Sequence, residues 1–130
     1  MKKVTLEKTD TCLTYVLKRL GLDPYLCNYE SITDHFTEYK FASFRKQMTE
    51  GDILLWDRDL NQEWLPWHIS ETGQITWRSI PIGFHFGIYE GDKLFSDCTR
   101  LVTPPHPTIR LRDMSQLKKN PDWVLRYNEN

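Results

Sequence analysis

Gly51-Asp52-Ile53-Leu54-Leu55-Trp56 is the stretch at which the chain changes texture. A Gly-Asp turn signal leads a short apolar run of strand length, closed off by Asp57-Arg58-Asp59, and that pattern fits a buried central strand. Upstream the spacing is helical. Leu13, Val16, Leu17 and Leu20 recur at intervals of three and four, Thr9 or Asp10 stands where a cap is needed, and Gly21 stands where a helix closes. These residues predict a helix over about residues 10–20. From Tyr25 to Met48 aromatic and polar residues mix at no clean period, and one or two short helices are expected, one of them at Asp34-His35-Phe36-Thr37-Glu38-Tyr39.

Downstream the pattern is β. Residues 64–70 and 74–80 about Thr72-Gly73 suggest one hairpin, with Pro66 making its first arm an edge strand. Residues 84–89 and 93–98 about Glu90-Gly91-Asp92 suggest a second. Thr103-Pro104-Pro105-His106-Pro107 reads as a loop, residues 109–111 as a strand, residues 114–119 as a helical turn or two, and residues 123–127 as a last strand. A helix followed by antiparallel strands predicts an α+β domain. The 130 residues suit one domain, which at this size buries about two thirds of its unfolded surface and needs no disulfide staples.

The net charge of −1 supplies no field that would gather nucleic acid or an anionic membrane, so neither is expected as a partner. Basic residues thicken towards the end (Arg100, Arg110, Arg112, Lys118, Lys119, Arg126), but Asp113 and Asp122 interrupt them and they read as a solvated face. The basic start, Met1-Lys2-Lys3, is followed by no apolar h-region, and nowhere is there a run of about 18 apolar residues. No signal peptide or transmembrane segment is expected, which fits synthesis into the cytoplasm. Three cysteines at wide spacing, Cys12, Cys27 and Cys98, do not form a secreted disulfide framework. No Cys or His pair has the short spacing of structural zinc sites, and no Gly-rich loop precedes a helix, so no metal or cofactor is expected.

The chemistry-bearing residues follow an order. Cys12 stands at the front of the predicted helix, where unpaired N–H groups and the dipole favour a thiolate; His85 opens the run His85-Phe86-Gly87-Ile88-Tyr89-Glu90; Asp97 lies one strand further on. A Cys on an amphipathic helix is by itself usually a small buried hydrophobe. The imidazole and carboxylate that follow it give Cys12 the partners a nucleophile needs. Cys27 and Cys98 read as structural. Trp64, Trp67 and Trp77, with Glu63 and His68 among them, are either the core of an inserted hairpin or a rim of aromatic faces on which a substrate stacks. On the second reading Trp64, Trp67, His68 and Trp77 are the substrate-binding set.

Cys12, the Gly51-Asp52 strand, the His85-Phe86-Gly87-Ile88-Tyr89 strand and Asp97, twelve positions after His85, together resemble the NlpC-type branch of the papain-like cysteine peptidases. The likeness runs from about Thr9 to Asp97 and, more loosely, over residues 123–127. It departs in three ways. Only an Asp-x-Cys lead precedes the nucleophile; the third residue is Asp where the family often has His, Asn or Gln; and the Trp-bearing segment at about residues 59–82 is an addition. The resemblance implies a papain-like α+β fold, with the Cys-bearing helix packed on an antiparallel sheet. It further implies a Cys12-His85-Asp97 triad cleaving an amide bond, and as substrate a peptide or a peptidoglycan peptide, the enzyme being phage-encoded or machine-delivered. Acyl transfer, deamidation or deconjugation on a protein is the related reading. A non-catalytic binding module that keeps the fold is the reading from another class.

Overall fold

The structure, a computed structural model, describes the backbone of residues 1–102 and 105–129, and the side chains of these residues except 58–67, 78–83, 100–102 and 105–106. It is α+β, with two helices and a six-stranded antiparallel sheet. Helix α1 (Cys12–Arg19) comes first, then strand β1 (Phe36–Lys40), the one-turn helix α2 (Phe41–Phe44), and strands β2 (Ile53–Ile69), β3 (Ile75–Gly91), β4 (Leu94–Val102), β5 (Pro105–Asp113) and β6 (Trp123–Tyr127). The spatial order is β1-β6-β2-β3-β4-β5.

Helix α1 is set by its ends. Thr11 is the N-cap, and Thr11 and Thr14 each accept the other's backbone N–H in a capping box. Gly21, in the left-handed region at φ 75°, closes the helix; its N–H donates to Lys18 O, and that of Leu22 donates to Leu17 O, the pairing of a Schellman motif. The expected cap at Thr9 or Asp10 is thus displaced to Thr11. Asp10 is buried, and its carboxylate accepts from Glu7 N, Thr14 Oγ1 and Lys18 Nζ, each at 2.8 Å. These bonds hold its carboxyl below the usual range although burial works the other way.

Three expectations are corrected. Residues 36–40 are strand β1, not a helix, because they pair with β6 from Phe36↔Tyr127 to Lys40↔Trp123; the short helical pieces between Tyr25 and Met48 are instead the 3₁₀ turns Ile32–Asp34 and Arg45–Gln47 and helix α2. The two separate strands read at residues 53–56 and 64–70 are one strand, β2, and those read at 74–80 and 84–89 are one strand, β3; the two hairpins read from the sequence are both present, joining β2 to β3 and β3 to β4. The predicted loop at residues 103–107 gives way to strand from Pro105 onward, where Pro105 pairs with Val102; Thr103 and Pro104 lie outside the described residues. Pro is tolerated there because β5 is the last strand of the sheet.

The sheet is packed on both faces. One carries Ile53, Leu55, Phe86, Ile88, Cys98 and Leu125, onto which α1 lays Leu13, Val16 and Leu17. The other carries Leu54, Trp56, Phe95 and Val124, covered by Phe41 and Phe44 of α2. At Gly87 this second face admits no side chain: a Cβ there would stand 3.0 Å from Phe95 Cδ2 and 3.3 Å from Ser96 O. Phe95 is fully buried and cannot swing aside. Gly87→Ala is therefore expected to lower stability by about 1–3 kcal/mol, read as a lower urea midpoint at unchanged slope. An unshifted midpoint would contradict the close approach.

Candidate active site

Strands β3 and β4 pair only from Gly91↔Leu94 to Gly87↔Asp97. Beyond that point β3 continues with β2 alone, and β4 continues with β5 as far as Val102. The sheet forks there. His85 and Asp97 lie at the fork on the face that carries Trp56 and Phe95, because Trp56 is opposite His85 and Tyr89 is opposite Phe95. Helix α1 lies on the other face, and its first residue, Cys12, is near enough to His85 for its sulfur to help raise the imidazole. The structure brings Cys12, His85 and Asp97 together.

His85 Nε2 and Asp97 Oδ2 are 2.7 Å apart, with His85 buried and Asp97 wholly enclosed. With Nε2 committed to the carboxylate, Nδ1 is the nitrogen left for the sulfur. The Trp56 ring braces the imidazole at 5.6 Å between centroids, and its own Nε1–H is anchored on Lys119 O. Burial alone would make His85 a weaker base, but the bond to Asp97 and the contact with Cys12 outweigh it and push the imidazole up to about 10. Asp97 is held below the usual carboxylate range. Burial opposes its charge, and the His85 bond and the Arg110 guanidinium overcome that penalty. His85 sits inside a long strand and does not open one, so its orientation is fixed from both sides along the chain.

Cys12 is partly exposed at the first position of α1. Thr14 N–H is taken by the Thr11 hydroxyl and Tyr15 N–H by Thr11 O. The N–H groups of Cys12 and Leu13 precede the helical ladder and stand at its positive end. Cys98, next to Asp97 but on the helix face, is buried, and its thiol is pushed up to about 12 by burial and by the neighbouring Cys12, Asp10 and Asp97. Cys27 is half-buried and also pushed up by burial.

Sequence reading missed the far side of Asp97. Arg110, opposite Asp97 on β5, donates from Nε to Oδ1 at 3.0 Å and from Nη2 to Oδ2 at 2.8 Å, and Arg112 donates from Nη1 to Oδ2 at 3.4 Å. Arg126, counted in the same basic run, clamps the buried Asp52 from Nε and Nη2 at 2.9 and 2.7 Å. A solvated face does not describe these three. The available signal was the spacing of Arg110 and Arg112, two apart and therefore on one face if the strand read at residues 109–111 ran one residue further, as β5 does. Tyr15 shares a buried hydrogen bond of 2.7 Å with Ser96 Oγ and ties α1 to β4. The Thr99 hydroxyl, two positions beyond Asp97, is buried and has no hydrogen-bond partner among the described residues.

The proposed substrate-binding residues lie on the long hairpin. Trp64 and Trp67 are on β2, but their side chains are outside those described. His68 and Trp77 are exposed, and Trp77 is eight positions along β3 from His85, up to about 27 Å of strand. Phe84, nearer the site, is stacked on Tyr29 at 4.4 Å.

Among the described residues no group of His, Cys, Asp and Glu has the arrangement of a metal site, and no helix is long and apolar enough to cross a membrane. Comparison of the chain with protein-family models, with curated proteins and with solved structures gave no match.

Proposed function

We propose that this chain is a cysteine hydrolase of papain-like, NlpC-type architecture, acting on an amide bond through Cys12, His85 and Asp97. One observation carries the reading: an imidazole bonded on one side to a buried carboxylate is met on the other by a sulfur at the start of a capped helix. Cys12 attacks the carbonyl carbon while its proton already rests on His85; the oxyanion forms beside the Cys12 N–H. His85, a cation at neutral pH, gives that proton to the leaving amine as the C–N bond breaks. In the resulting thioester the sulfur carries no charge, so the imidazole loses one of the two partners that raised it. It then holds its proton less tightly, so the neutral ring that accepts a proton from the water releasing the acid is populated. Asp97 holds the ring throughout.

The substrate class rests on the family likeness of the Gly51-Asp52 and His85-Phe86-Gly87-Ile88-Tyr89 strands, and is a peptide bond of peptidoglycan. The exposed Trp77 and His68 on the hairpin are the surface offered to a larger substrate.

Cysteine alkylation tests the chemistry before any substrate is known. With the Cys27 and Cys98 thiols both pushed up, iodoacetamide at neutral pH is expected to modify Cys12 alone and fast, and His85→Ala is expected to slow it at least about tenfold. Peptide mass spectrometry reads all three sites at once. An inert Cys12, or one indifferent to His85, sinks the hydrolase reading and leaves a binding module in its place.

A further inference from the structure

We propose that Arg110 is a positioning residue for this site, acting through Asp97; the proposal rests on the hydrolase reading above. The guanidinium faces Asp97 across the β4–β5 ladder and takes both carboxylate oxygens, Nε on Oδ1 and Nη2 on Oδ2. A planar fork on a planar acceptor fixes the rotation of the carboxylate, which a single bond to His85 does not. The rotation so fixed is the one that presents Oδ2 to Nε2 at 2.7 Å. Arg112 adds one longer bond to the same oxygen, and its guanidinium lies over the Phe95 ring at 5.4 Å.

Charge supplies the second argument. Hydrolysis requires His85 to pass from imidazolium to imidazole and back. In the imidazole phase a fully enclosed carboxylate with no other cation beside it would draw the proton to itself, and the ring would lose the bond that orients it. Arg110 cannot be deprotonated. It keeps Asp97 an anion in both phases, so the Nε2–H stays directed at the carboxylate while Nδ1 trades the proton with Cys12. Among the described residues, the groups that face Asp97 are His85 from β3 and Arg110 and Arg112 from β5. Tyr15 of α1 and Cys98 feel its charge, and Cys12 reaches it through His85.

The test is the pH profile of Cys12 alkylation by iodoacetamide in the full chain and in Arg110→Gln, Arg110→Lys, Arg112→Gln and His85→Ala. Removing the fixed charge lets the Cys12–His85 pair hold its proton more tightly. Arg110→Gln is expected to move the profile up by about one pH unit, a tenfold slower reaction on its acid limb. Arg110→Lys restores the charge but not the fork, so the profile returns to its place while the plateau rate stays low. Arg112→Gln gives a smaller shift than Arg110→Gln. A profile in Arg110→Gln that overlays that of the unaltered protein, or an equal shift in Arg112→Gln, overturns the proposal. If Arg110→Gln does not fold, Arg110→Lys decides alone, and an unchanged plateau overturns it. Failure of the hydrolase reading looks different: His85→Ala then matches the unaltered protein.

Discussion

Replacing Asp97 by alanine is expected to lower the unfolding free energy by about 3 kcal/mol, the low end of what breaking a buried ion pair costs, and to abolish the His85-dependent reactivity of Cys12. The carboxylate is fully enclosed and is the shared partner of His85, Arg110 and Arg112. Its removal leaves three donors facing one another. The two guanidiniums are partly exposed and recover some hydration, which places the cost at the low end. The pH dependence separates this mechanism from a simple packing loss. His85 in the folded protein, at about 10, lies above its ordinary 6.5, so its contribution is complete below about pH 6.5 and is lost as the pH rises through 10. Asp97 is shifted the other way, and its contribution is present above its ordinary 3.8 and lost as the pH falls through its lower folded value. Urea midpoints measured from pH 6 to 10 should therefore fall in the unaltered protein and stay nearly level in Asp97→Ala. Parallel slopes would show that the carboxylate does not hold the imidazole proton.

Phe95→Ala is expected to cost about 3–5 kcal/mol, as for other large aromatic truncations in a core. Phe95 is fully buried, lies 5.4 Å from the Trp56 ring, sits under Arg112 and covers Gly87. The cavity would open directly behind the indole that braces His85, so Cys12 alkylation should slow as well. Coupling with Gly87 provides the check. The methyl of Gly87→Ala points at the space the phenyl vacates, so the double variant should lose less than the sum of the two single losses, measured as a double-mutant cycle. Additive losses would mean that the two residues do not meet.

The strands and the nucleophile's helix were legible because each leaves a local pattern. Leu13, Val16 and Leu17 with Gly21 give a helix and its end, and residues 53–56 and 123–127 give short apolar runs of strand length. Residues 36–40 were not legible, because nothing local makes them a strand; pairing with β6, far along the chain, does. For the same reason β2 and β3 looked broken. Polar residues such as Asp57, Arg58 and Asp59 interrupt the apolar pattern, and the pairing is irregular between Asp57 and Asn61, yet the β2–β3 hairpin resumes beyond them at Asn61↔Ile82. Within the site, Cys12, His85 and Asp97 could be read because their order and residue types carry chemistry. Arg110 could not. Its role depends on facing Asp97 across the β4–β5 ladder, and sequence alone does not fix that register.

The last strand in the sequence is an interior strand in the sheet: β6 lies between β1 and β2 and hydrogen-bonds to both. The chain reaches it through residues 118–120, which are exposed. A single proteolytic nick there would detach the one strand joining β1 to the rest of the sheet. It would uncover two rows of backbone donors and acceptors at once, one along β1 and one along the Ile53–Leu55 part of β2. Those rows match the same strand in any other copy. Damage at this connection is therefore expected to favour strand exchange between molecules.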